Sequence, residues 1–319
     1  MRGTPPTLHP MSKLSAALLL LQERSVFAAQ YRAGALRKPD MWEAVLEDVC
    51  NVVALLPTVA AMIYHANFRG AQHLPTAPPV ARDWAGRFAE QLGFAGSAAF
   101  CDLLRLYLTI HADHEGGNVS AHATHLVGSA WADPYLAYSA GLNGLAGPLH
   151  GLASQEVLRW LRGLRAAVGP EPSDAALSAH IWATLRAGQV VPGYGHAVLR
   201  RTDPRYTCQR DFAHAHLPHD PLVRLTAQLY RLVPGILTAH GKTANPWPNV
   251  DAHSGVLLQH YGLVEEDFYT VLFGVSRALG ALSQLFWDRA LMLPLERPKS
   301  LTTAAIRGIF STAAQNASA

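Results

Sequence analysis

The chain has 319 residues, of which half are hydrophobic and 15% are charged, and its formal net charge is +3. A chain of this length can bury a large core, which we expect to be divided between two lobes. The small charge and the absence of a long Lys/Arg block argue against nucleic acid as a partner, whereas the arginine-rich basic residues favour small anionic ligands.

Three cysteines, Cys50, Cys101 and Cys208, lack the spacing of a metal or redox site and cannot form an even set of disulfides. This usage fits a reducing compartment. Cys50 and Cys101 fall within apolar helical patterns, which predicts that both are buried in the core.

The first 22 residues lack acidic side chains and include four consecutive leucines, Leu18–Leu21. We interpret this stretch as the first amphipathic helix, with a weak signal peptide as the alternative, because the apolar run is short and no clear cleavage site follows. No segment reaches the ~20 apolar residues that a membrane-spanning helix needs, so we expect no membrane partner.

Apolar residues that recur with a helical period dominate the rest of the chain. The stretch Trp42–Ala66 follows a period close to 3.6 residues, and the pattern returns over 157–168 and 271–286. Between them, Ser173 is placed to cap another helix. Convincing alternating strands are missing, so the predicted fold class is all-α.

Breaks rich in proline or glycine separate these helical patterns at 74–80, 169–172, 191–195 and 245–248. The first two carry no ionisable group with an evident task, so we interpret them as surface connectors. The last two adjoin short segments whose composition is hard to explain by packing alone.

Three such segments each place one ionisable side chain among glycine, proline and small apolar residues. They are Gly147–Gly151 with His150, Val191–His196 with His196, and Asn249–His253 with Asp251. Glycine lets the backbone approach a ligand closely, and proline fixes the direction of the chain. Two imidazoles and a carboxylate held in this way suit proton transfer at a carbon next to a carbonyl. The sequence therefore indicates an enzyme.

The segment Leu142–Val157, which contains His150, resembles the signature of citrate synthases of the eukaryotic, mitochondrial type. The segment Val190–Arg200, followed by 202–206, resembles the same family. Further stretches that match in the family's order and spacing are 110–125, 245–255, 274–280 and 295–300. The similarity runs from about Leu8 to about Thr302.

The resemblance implies a two-lobed, all-helical fold with a large domain of residues 1–150 and 257–319 and a small domain of residues 151–256. Catalytic chains of the family normally begin well before the point where the similarity starts. We therefore expect large-domain helices of the family to be missing here. A fragment, a shortened paralogue and a partner subunit are the three explanations that stay open.

The activity that the resemblance implies is the condensation of acetyl-CoA with oxaloacetate to give citrate and coenzyme A, without a metal or redox cofactor. Asp251 would remove a proton from the acetyl methyl, His150 would stabilise the enol, and His196 would polarise the ketone and act as the acid. A helix start next to His150 would favour its neutral form. The alternatives are 2-methylcitrate synthesis from propionyl-CoA and a non-catalytic subunit that pairs with a full-length paralogue.

The resemblance also implies binding residues. Oxaloacetate has two carboxylates, for which forked guanidinium groups are natural partners. The implied oxaloacetate-binding residues are His114, Arg205, Arg277 and Arg297, the last acting across a homodimer interface in the neighbouring site. The implied coenzyme A-binding residues are Val190, Val191, Gly193, Tyr194, Gly195, Arg200 and Lys242. The family points to the mitochondrial matrix; we see no targeting segment, and a bacterial cytoplasm is the other possibility.

A rival constellation consists of the pairs His111/His114 and His122/His125 with Glu115. Two His-x-x-His pairs and a carboxylate can indicate a metal site and hence a metal-dependent hydrolase. Two glycines interrupt the helical geometry between the pairs, and the family uses this stretch without metal. We therefore expect no metal ion, and we expect His122 and His125 to be packed helix residues.

Overall fold

A computed structural model of the chain describes the backbone of residues 4, 5, 7–70 and 83–316, and the side chains of these residues up to 310. The helices within these ranges are α1 (Pro10–Leu21), α2 (Val26–Arg32), α3 (Met41–Tyr64), α4 (Trp84–Gln91), α5 (Ala98–His111), α6 (Val119–Ser129), α7 (Pro134–Leu145), α8 (Ala153–Val168), α9 (Asp174–Arg186), α10 (Pro204–His216), α11 (Pro221–His240), α12 (Asp251–His260), α13 (Tyr269–Ala290) and α14 (Thr303–Asn316). The described residues contain no strand beyond a single bridge between Tyr194 and Pro248. The all-α prediction is confirmed.

Several helices begin at an aspartate–proline pair that can be recognised in the sequence. Asp133, Asp203 and Asp220 each accept hydrogen bonds from the first backbone amides of α7, α10 and α11, and a proline follows each of them. Aspartate satisfies amides that lack a partner inside the helix, and proline there has no amide to satisfy. The predicted cap at Ser173 is confirmed, since its hydroxyl accepts from the amide of Ala176 at 3.2 Å.

The helices pack in two groups. In one group, α3 lies against α1, α7 and α13, and α6 packs along α7 and α13. In the other, α12 contacts α8, α10 and α11, and α9 contacts α8 and α11. Contacts of α5 with α10 and of α13 with α8 join the groups. The domain limits at 150/151 and 256/257 remain a prediction.

The expectation that no segment is long and apolar enough to span a membrane is wrong for Lys38–Arg69, which contains α3. Half of its apolar window is nevertheless buried inside the protein. Its Asp48 carboxylate accepts hydrogen bonds from the Ser25 hydroxyl and from the amides of Val26 and Phe27. A buried, hydrogen-bonded carboxylate and packing against several helices are features of a core helix.

The first helix is confirmed, with Met11, Leu14 and Leu18 buried on one face. The cysteine prediction is half wrong, because Cys101 is buried but Cys50 is exposed. Cys50 is apolar in type yet falls outside the face of α3 that meets the core, so its residue type did not decide its burial. The predicted connector at 74–80 lies outside the described residues.

Candidate active site

One cleft of about 390 Å³ is lined by half of the site residues that the sequence singled out, including all three predicted catalytic residues. Those lining it are His114, His150, Gly195, His196, Arg205, Asp251 and Arg277. They come from separate loops and helices spread over more than half of the chain. The fold therefore brings together residues that are far apart in sequence, which is typical of an active site.

Two paired loops build one side of the cleft. The amide of Gly195 donates to the Trp247 carbonyl at 3.0 Å, and the amide of Asn249 donates to the Gly193 carbonyl at 2.9 Å. The Asn249 side chain adds a third bond by donating to the Gly195 carbonyl at 3.0 Å. This pairing fixes the end of one loop, where His196 lies, relative to the start of α12.

Gly193 is the point at which this pairing requires glycine. Its φ of +79° is favourable for glycine, and an added Cβ would lie 2.9 Å from Ala252 Cα and 3.0 Å from Val157 Cγ2. A side chain here would be strained by the backbone conformation and would also collide with the first turn of α12. Glycine thus lets the loop lie directly against the helix that begins at Asp251.

Asp251 opens α12, and its backbone amide donates to Asn249 Oδ1 at 3.0 Å. Helix α12 begins without a side-chain cap, so the carboxylate is not used as one. Burial raises the pKa of Asp251 to about 6; the positive charges of Arg205 and Arg277 oppose this rise, and Asp203 adds to it. Such a carboxylate is a stronger base than a free aspartate and is still ionised at neutral pH.

His196 is oriented by its own loop. Its Nδ1 accepts hydrogen bonds from the amides of Val198 at 3.0 Å and Leu199 at 2.9 Å. The neutral ring must therefore carry its proton on Nε2, which lies 3.2 Å from His114 Nε2. Burial and the charge of Arg205 lower the pKa of both histidines, so both favour the neutral form.

Asn118 organises the opposite side of the cleft. Its Nδ2 donates to the carbonyls of His114 at 3.0 Å and Glu115 at 2.7 Å. Its Oδ1 caps α6, lies 2.8 Å from the Ser120 hydroxyl and accepts from Arg277 Nη1 at 3.2 Å. One amide side chain therefore joins the loop of His114, the start of α6 and the buried guanidinium of α13.

His150 lies in the turn before α8, with its Nε2 toward Ser120. That nitrogen accepts from the Ser120 amide at 3.4 Å and lies 2.9 Å from the Ser120 hydroxyl. A ring nitrogen that accepts from an amide carries no proton, so the neutral ring carries its proton on Nδ1. Burial, followed by the charges of Arg277 and His114, lowers the pKa of His150 to about 4. The ring is neutral as expected, but burial rather than the helix start is the main cause.

Two arginines give the cleft its positive charge. Arg277 is 1% exposed; its Nε donates to the His111 carbonyl at 3.1 Å, and its guanidinium lies 4.8 Å from the centre of the Phe273 ring. Arg205 pairs with Asp203, with 2.7 Å between Nη2 and Oδ2. Two partly desolvated guanidinium groups facing one cavity suit a small ligand that carries carboxylates.

The remaining predicted residues lie outside the lining of this cleft. Arg297 is exposed in the extended stretch between α13 and α14, and Lys242 is exposed just after α11. Arg200 is exposed, and its Nη1 donates to carbonyls of its own loop, including that of Leu199 at 2.9 Å. Their assigned roles remain predictions.

The predicted coenzyme A loop also extends away from the cleft. Val190 is 76% exposed, whereas Val191 is buried. Gly193 lies against the first turn of α12, and Tyr194 lines a small separate cavity with Tyr206 and Trp160. Only Gly195 of this set lines the cleft among the described residues.

The two His-x-x-His pairs do not converge. The expectation that His122 is packed is wrong, because its side chain is 62% exposed and its Nδ1 lies 3.9 Å from Glu296. His125 is hydrogen-bonded on both ring nitrogens, to Asp288 and to Gln284. No group of three His, Cys, Asp or Glu residues that could hold a metal ion occurs in the described part of the chain.

Sequence reasoning missed four residues that hold the site together: Asn118, Ser120, Asp203 and Asn249. Asn118 and Asp203 directly precede helices, so a search for capping residues could have found them. Ser120 and Asn249 act through contacts between distant segments, for which the sequence has no local signal.

A family model described as "Citrate synthase, C-terminal domain" matches residues 1–299. The chain is 59% identical over 302 residues to the probable mitochondrial citrate synthase of Glossina morsitans morsitans, a match that covers 94% of this chain and 64% of that protein. The chain thus spans slightly less than two thirds of the length of this relative.

Solved structures show the same fold at lower identity. The citrate synthase of Pyrobaculum aerophilum has a TM-score of 0.77 and 24% identity, covering 93% of this chain and 72% of that one. The citrate synthase of Thermotoga maritima has a TM-score of 0.71 and 23% identity, covering 94% and 73%. The ternary complex of carboxymethyl coenzyme A and oxaloacetate with the citrate synthase of Thermoplasma acidophilum has a TM-score of 0.74 and 20% identity, covering 95% and 74%.

Proposed function

Because this chain belongs to the citrate synthase family, we propose that it condenses acetyl-CoA with oxaloacetate and water to give citrate and coenzyme A. One observation carries the proposal: three candidate catalytic groups and three candidate carboxylate-binding groups line a single cleft. They are His150, His196 and Asp251, and His114, Arg205 and Arg277. The Thermoplasma enzyme, which shares the fold, forms a ternary complex with carboxymethyl coenzyme A and oxaloacetate, and this supports oxaloacetate and a coenzyme A derivative as the ligands.

Oxaloacetate binding follows from the charge of the cleft. The carboxylates of the ligand would pair with Arg205 and Arg277, whose guanidinium groups are already held by protein acceptors. The ketone oxygen would accept the Nε2 proton of His196, which now faces His114. Because both rings favour the neutral form, the site can donate a proton without carrying extra charge.

Carbon–carbon bond formation then requires a base and an enol stabiliser. The Asp251 carboxylate would remove a proton from the acetyl methyl, while His150 Nδ1–H would donate to the thioester oxygen as negative charge develops there. The enol carbon would attack the ketone carbon, and the ketone oxygen would take the Nε2 proton of His196. The proton that Asp251 has taken up would then restore the neutral His196 ring. Water would finally hydrolyse the thioester and release coenzyme A. No metal or redox cofactor enters these steps.

We further propose that the segment 190–195, with Arg200 and Lys242, contacts coenzyme A, and that Arg297 reaches the neighbouring site of a homodimer. Val190, Arg200, Lys242 and Arg297 are exposed outside the cleft, which is compatible with roles that require a long ligand or a second subunit. The mitochondrial relative supports placement in the mitochondrial matrix, with a cytoplasmic location as the alternative.

The test is the release of free thiol from acetyl-CoA with and without oxaloacetate. We expect oxaloacetate-dependent release, and we expect Asp251→Asn to lower kcat by roughly 10²- to 10⁴-fold because the base is lost. Asp211→Asn, at an exposed aspartate paired with Arg210, is the matched control and should retain the wild-type rate. The wild-type rate should also fall as the pH drops through about 6, where Asp251 becomes protonated.

A folded dimer that releases no thiol with either acetyl-CoA or propionyl-CoA would contradict the proposal and favour the non-catalytic subunit. Faster release from propionyl-CoA than from acetyl-CoA would instead identify a 2-methylcitrate synthase.

A further inference from the structure

Four polar side chains outside the cleft form a continuous hydrogen-bonded chain behind the loop that carries His114. His125 donates from Nδ1 to the Asp288 carboxylate, and its Nε2 lies 2.7 Å from Gln284 Oε1. Gln284 Nε2 donates to Asp113 Oδ1 at 2.7 Å. Asp113 directly precedes His114, so this chain of bonds ends at the loop that faces the cleft.

Chemistry fixes the direction of every bond in this chain. A carboxylate only accepts, so Gln284 must turn its amide nitrogen toward Asp113 and its carbonyl oxygen toward His125. His125 then faces an acceptor on each ring nitrogen. The doubly protonated imidazolium is the form that satisfies both acceptors, because a neutral ring can donate from one nitrogen only.

The charges around His125 favour that form. The hydrogen bond to Asp288 raises the pKa of His125, with burial opposing it and Gln284 and Glu296 adding to the rise. Glu296 belongs to the exposed stretch after α13, and its other histidine neighbour is His122, 3.9 Å away.

One face of α13 carries both this chain and the candidate ligand-binding arginine. Arg277, Gly280, Gln284 and Asp288 are spaced by three or four residues, so they share a face of the helix. The amide of Gly280 donates to the Ala112 carbonyl at 3.0 Å, and an added Cβ at Gly280 would lie 2.4 Å from that oxygen. The loop therefore docks directly on the helix at this glycine.

The loop of His114 also lies close to Gln284 and His125 at Gly116. An added Cβ at Gly116 would lie 3.4 Å from Gln284 Oε1 and 3.9 Å from His125 Nε2. The loop turn after His114 thus rests against the His125–Gln284 pair.

We infer that His125 is a positioning residue for oxaloacetate: as an imidazolium it fixes the Gln284 amide, which holds the loop so that His114 faces the cleft. The inference rests on the proposed function, because His114 would be the group that touches the ligand. His125 lies outside the lining of the cleft and acts through Gln284.

A pH dependence of binding follows from this arrangement. When the pH rises through the raised pKa of His125, the ring loses one donor and leaves an acceptor unpaired, so the loop is held less firmly. Affinity for oxaloacetate should then fall, while the chemical step, which uses Asp251, His150 and His196, proceeds at nearly the same rate.

The test compares His125→Gln with His122→Gln, a matched change one turn earlier on the same helix, where the side chain is 62% exposed. Calorimetry with oxaloacetate and thiol-release kinetics measure Kd and kcat separately. For His125→Gln we expect Kd to rise roughly fivefold to twentyfold, and kcat to change by less than about twofold. His122→Gln should match the wild type in both quantities.

Asp288→Asn tests the charge on the imidazole. This variant keeps the shape of the side chain but removes the anion that favours the imidazolium. The pH at which oxaloacetate affinity falls should therefore move to a lower value than in the wild type. A purely structural role for His125 would leave that pH unchanged.

A readout independent of activity is cleavage of the folded protein after Glu115 by a glutamate-specific protease. The loop contains this exposed glutamate, and Glu171, whose side chain is 80% exposed between α8 and α9, serves as the internal reference. Relative to Glu171, cleavage after Glu115 should be several-fold faster in His125→Gln than in His122→Gln, since the loop is less restrained.

Equal relative cleavage in the two variants would overturn the inference. Faster cleavage with an unchanged Kd would overturn the inference that His125 affects oxaloacetate binding. If the wild type binds no oxaloacetate at all, the proposed function fails, and the cleavage comparison still decides whether His125 holds the loop.

Discussion

The two walls of the cleft are built in different ways. The loop wall consists of His196, Arg205 and Asp251, and the helix wall consists of His114, His150 and Arg277. In the loop wall, the bonds that orient each group reach partners two or three residues away, such as the amides after His196 and the Asp203 carboxylate before Arg205.

In the helix wall the corresponding partners lie far away in sequence. His150 meets Ser120 across 30 residues, and Arg277 bonds the His111 carbonyl across 166 residues. Asn118 joins the loop of His114 to Arg277. The difference teaches that each side chain of the loop wall is oriented within its own segment, although long-range pairing joins those segments, whereas the helix wall exists only when α6 and α13 are packed. Substitutions in the helix wall should therefore cost more stability.

The largest effect is expected for Asn118→Ala in the helix wall. The change removes the cap of α6, worth about 1 kcal/mol, and leaves two loop carbonyls and the buried Arg277 guanidinium short of a partner. We expect the free energy of unfolding to fall by roughly 2–4 kcal/mol in urea titrations.

Asn118→Ser separates the two contributions. Serine is a good helix cap but is too short to serve Arg277 and the loop together, so about 1 kcal/mol should be recovered relative to alanine. A serine variant as stable as the wild type would mean that only the cap matters and that the helix wall does not depend on Asn118.

Gly193→Ala should have the next largest effect, in the loop wall. The φ of +79° strains an alanine, and its Cβ would collide with the first turn of α12. We expect a loss of roughly 1–3 kcal/mol in the free energy of unfolding, together with reduced kcat because Asp251 shifts with the helix.

Gly195→Ala is the matched control for stability. Its φ is +96°, but the nearest atom to an added Cβ, the Asn245 carbonyl oxygen, is 3.6 Å away. This variant should suffer the backbone strain without the collision. Equal losses in the two variants would show that the close approach of Gly193 to α12 contributes nothing.

The smallest effect has the opposite sign: Asp251→Asn should stabilise the protein. Burial raises the pKa of Asp251 from 3.8 to about 6, so the folded state disfavours the carboxylate at pH values above that range. A shift of this size corresponds to roughly 3 kcal/mol, which we reduce to about 1–2 kcal/mol because the side chain is partly exposed to the cleft.

The pH dependence of this stabilisation tests whether it arises from the buried Asp251 carboxylate. The gain should be fully present at pH 8 and should disappear as the pH falls from about 6 toward 4, because the wild-type aspartate then becomes protonated in the folded state. Urea unfolding of Asp251→Asn, with the exposed Asp211→Asn as control, measures this gain in the free energy of unfolding. A gain as large at pH 4.5 as at pH 8 would contradict relief of a buried charge.

Much of the fold could be predicted because its signals are local. The apolar period over 42–66 predicts α3, and Ser173 marks the start of α9. The prediction failed at Cys50, whose residue type suggests burial but whose position on α3 faces away from the core. The apolar length of α3 was underestimated, since it contains a segment long enough to span a membrane.

The residues of the site also divide into those that the sequence identified and those that it did not. The resemblance identified seven of the residues that line the cleft, because their motifs combine rare side chains with glycine and proline. It could not identify Ser120 or Gln284, which look like ordinary helix residues. Their positions matter only because His150 and His125 come to lie beside them.

The sequence by itself determined the helices, their aspartate–proline starts and the chemical character of the site, since caps, apolar periods and residue types act within a few residues. Only the tertiary structure decided how that chemistry is tuned. The raised pKa of Asp251, the protonated nitrogen of His150 and the charge on His125 each depend on burial or on a partner more than 25 residues away. Desolvation and hydrogen bonding between distant segments have no local signature, so they become readable only once the chain has folded.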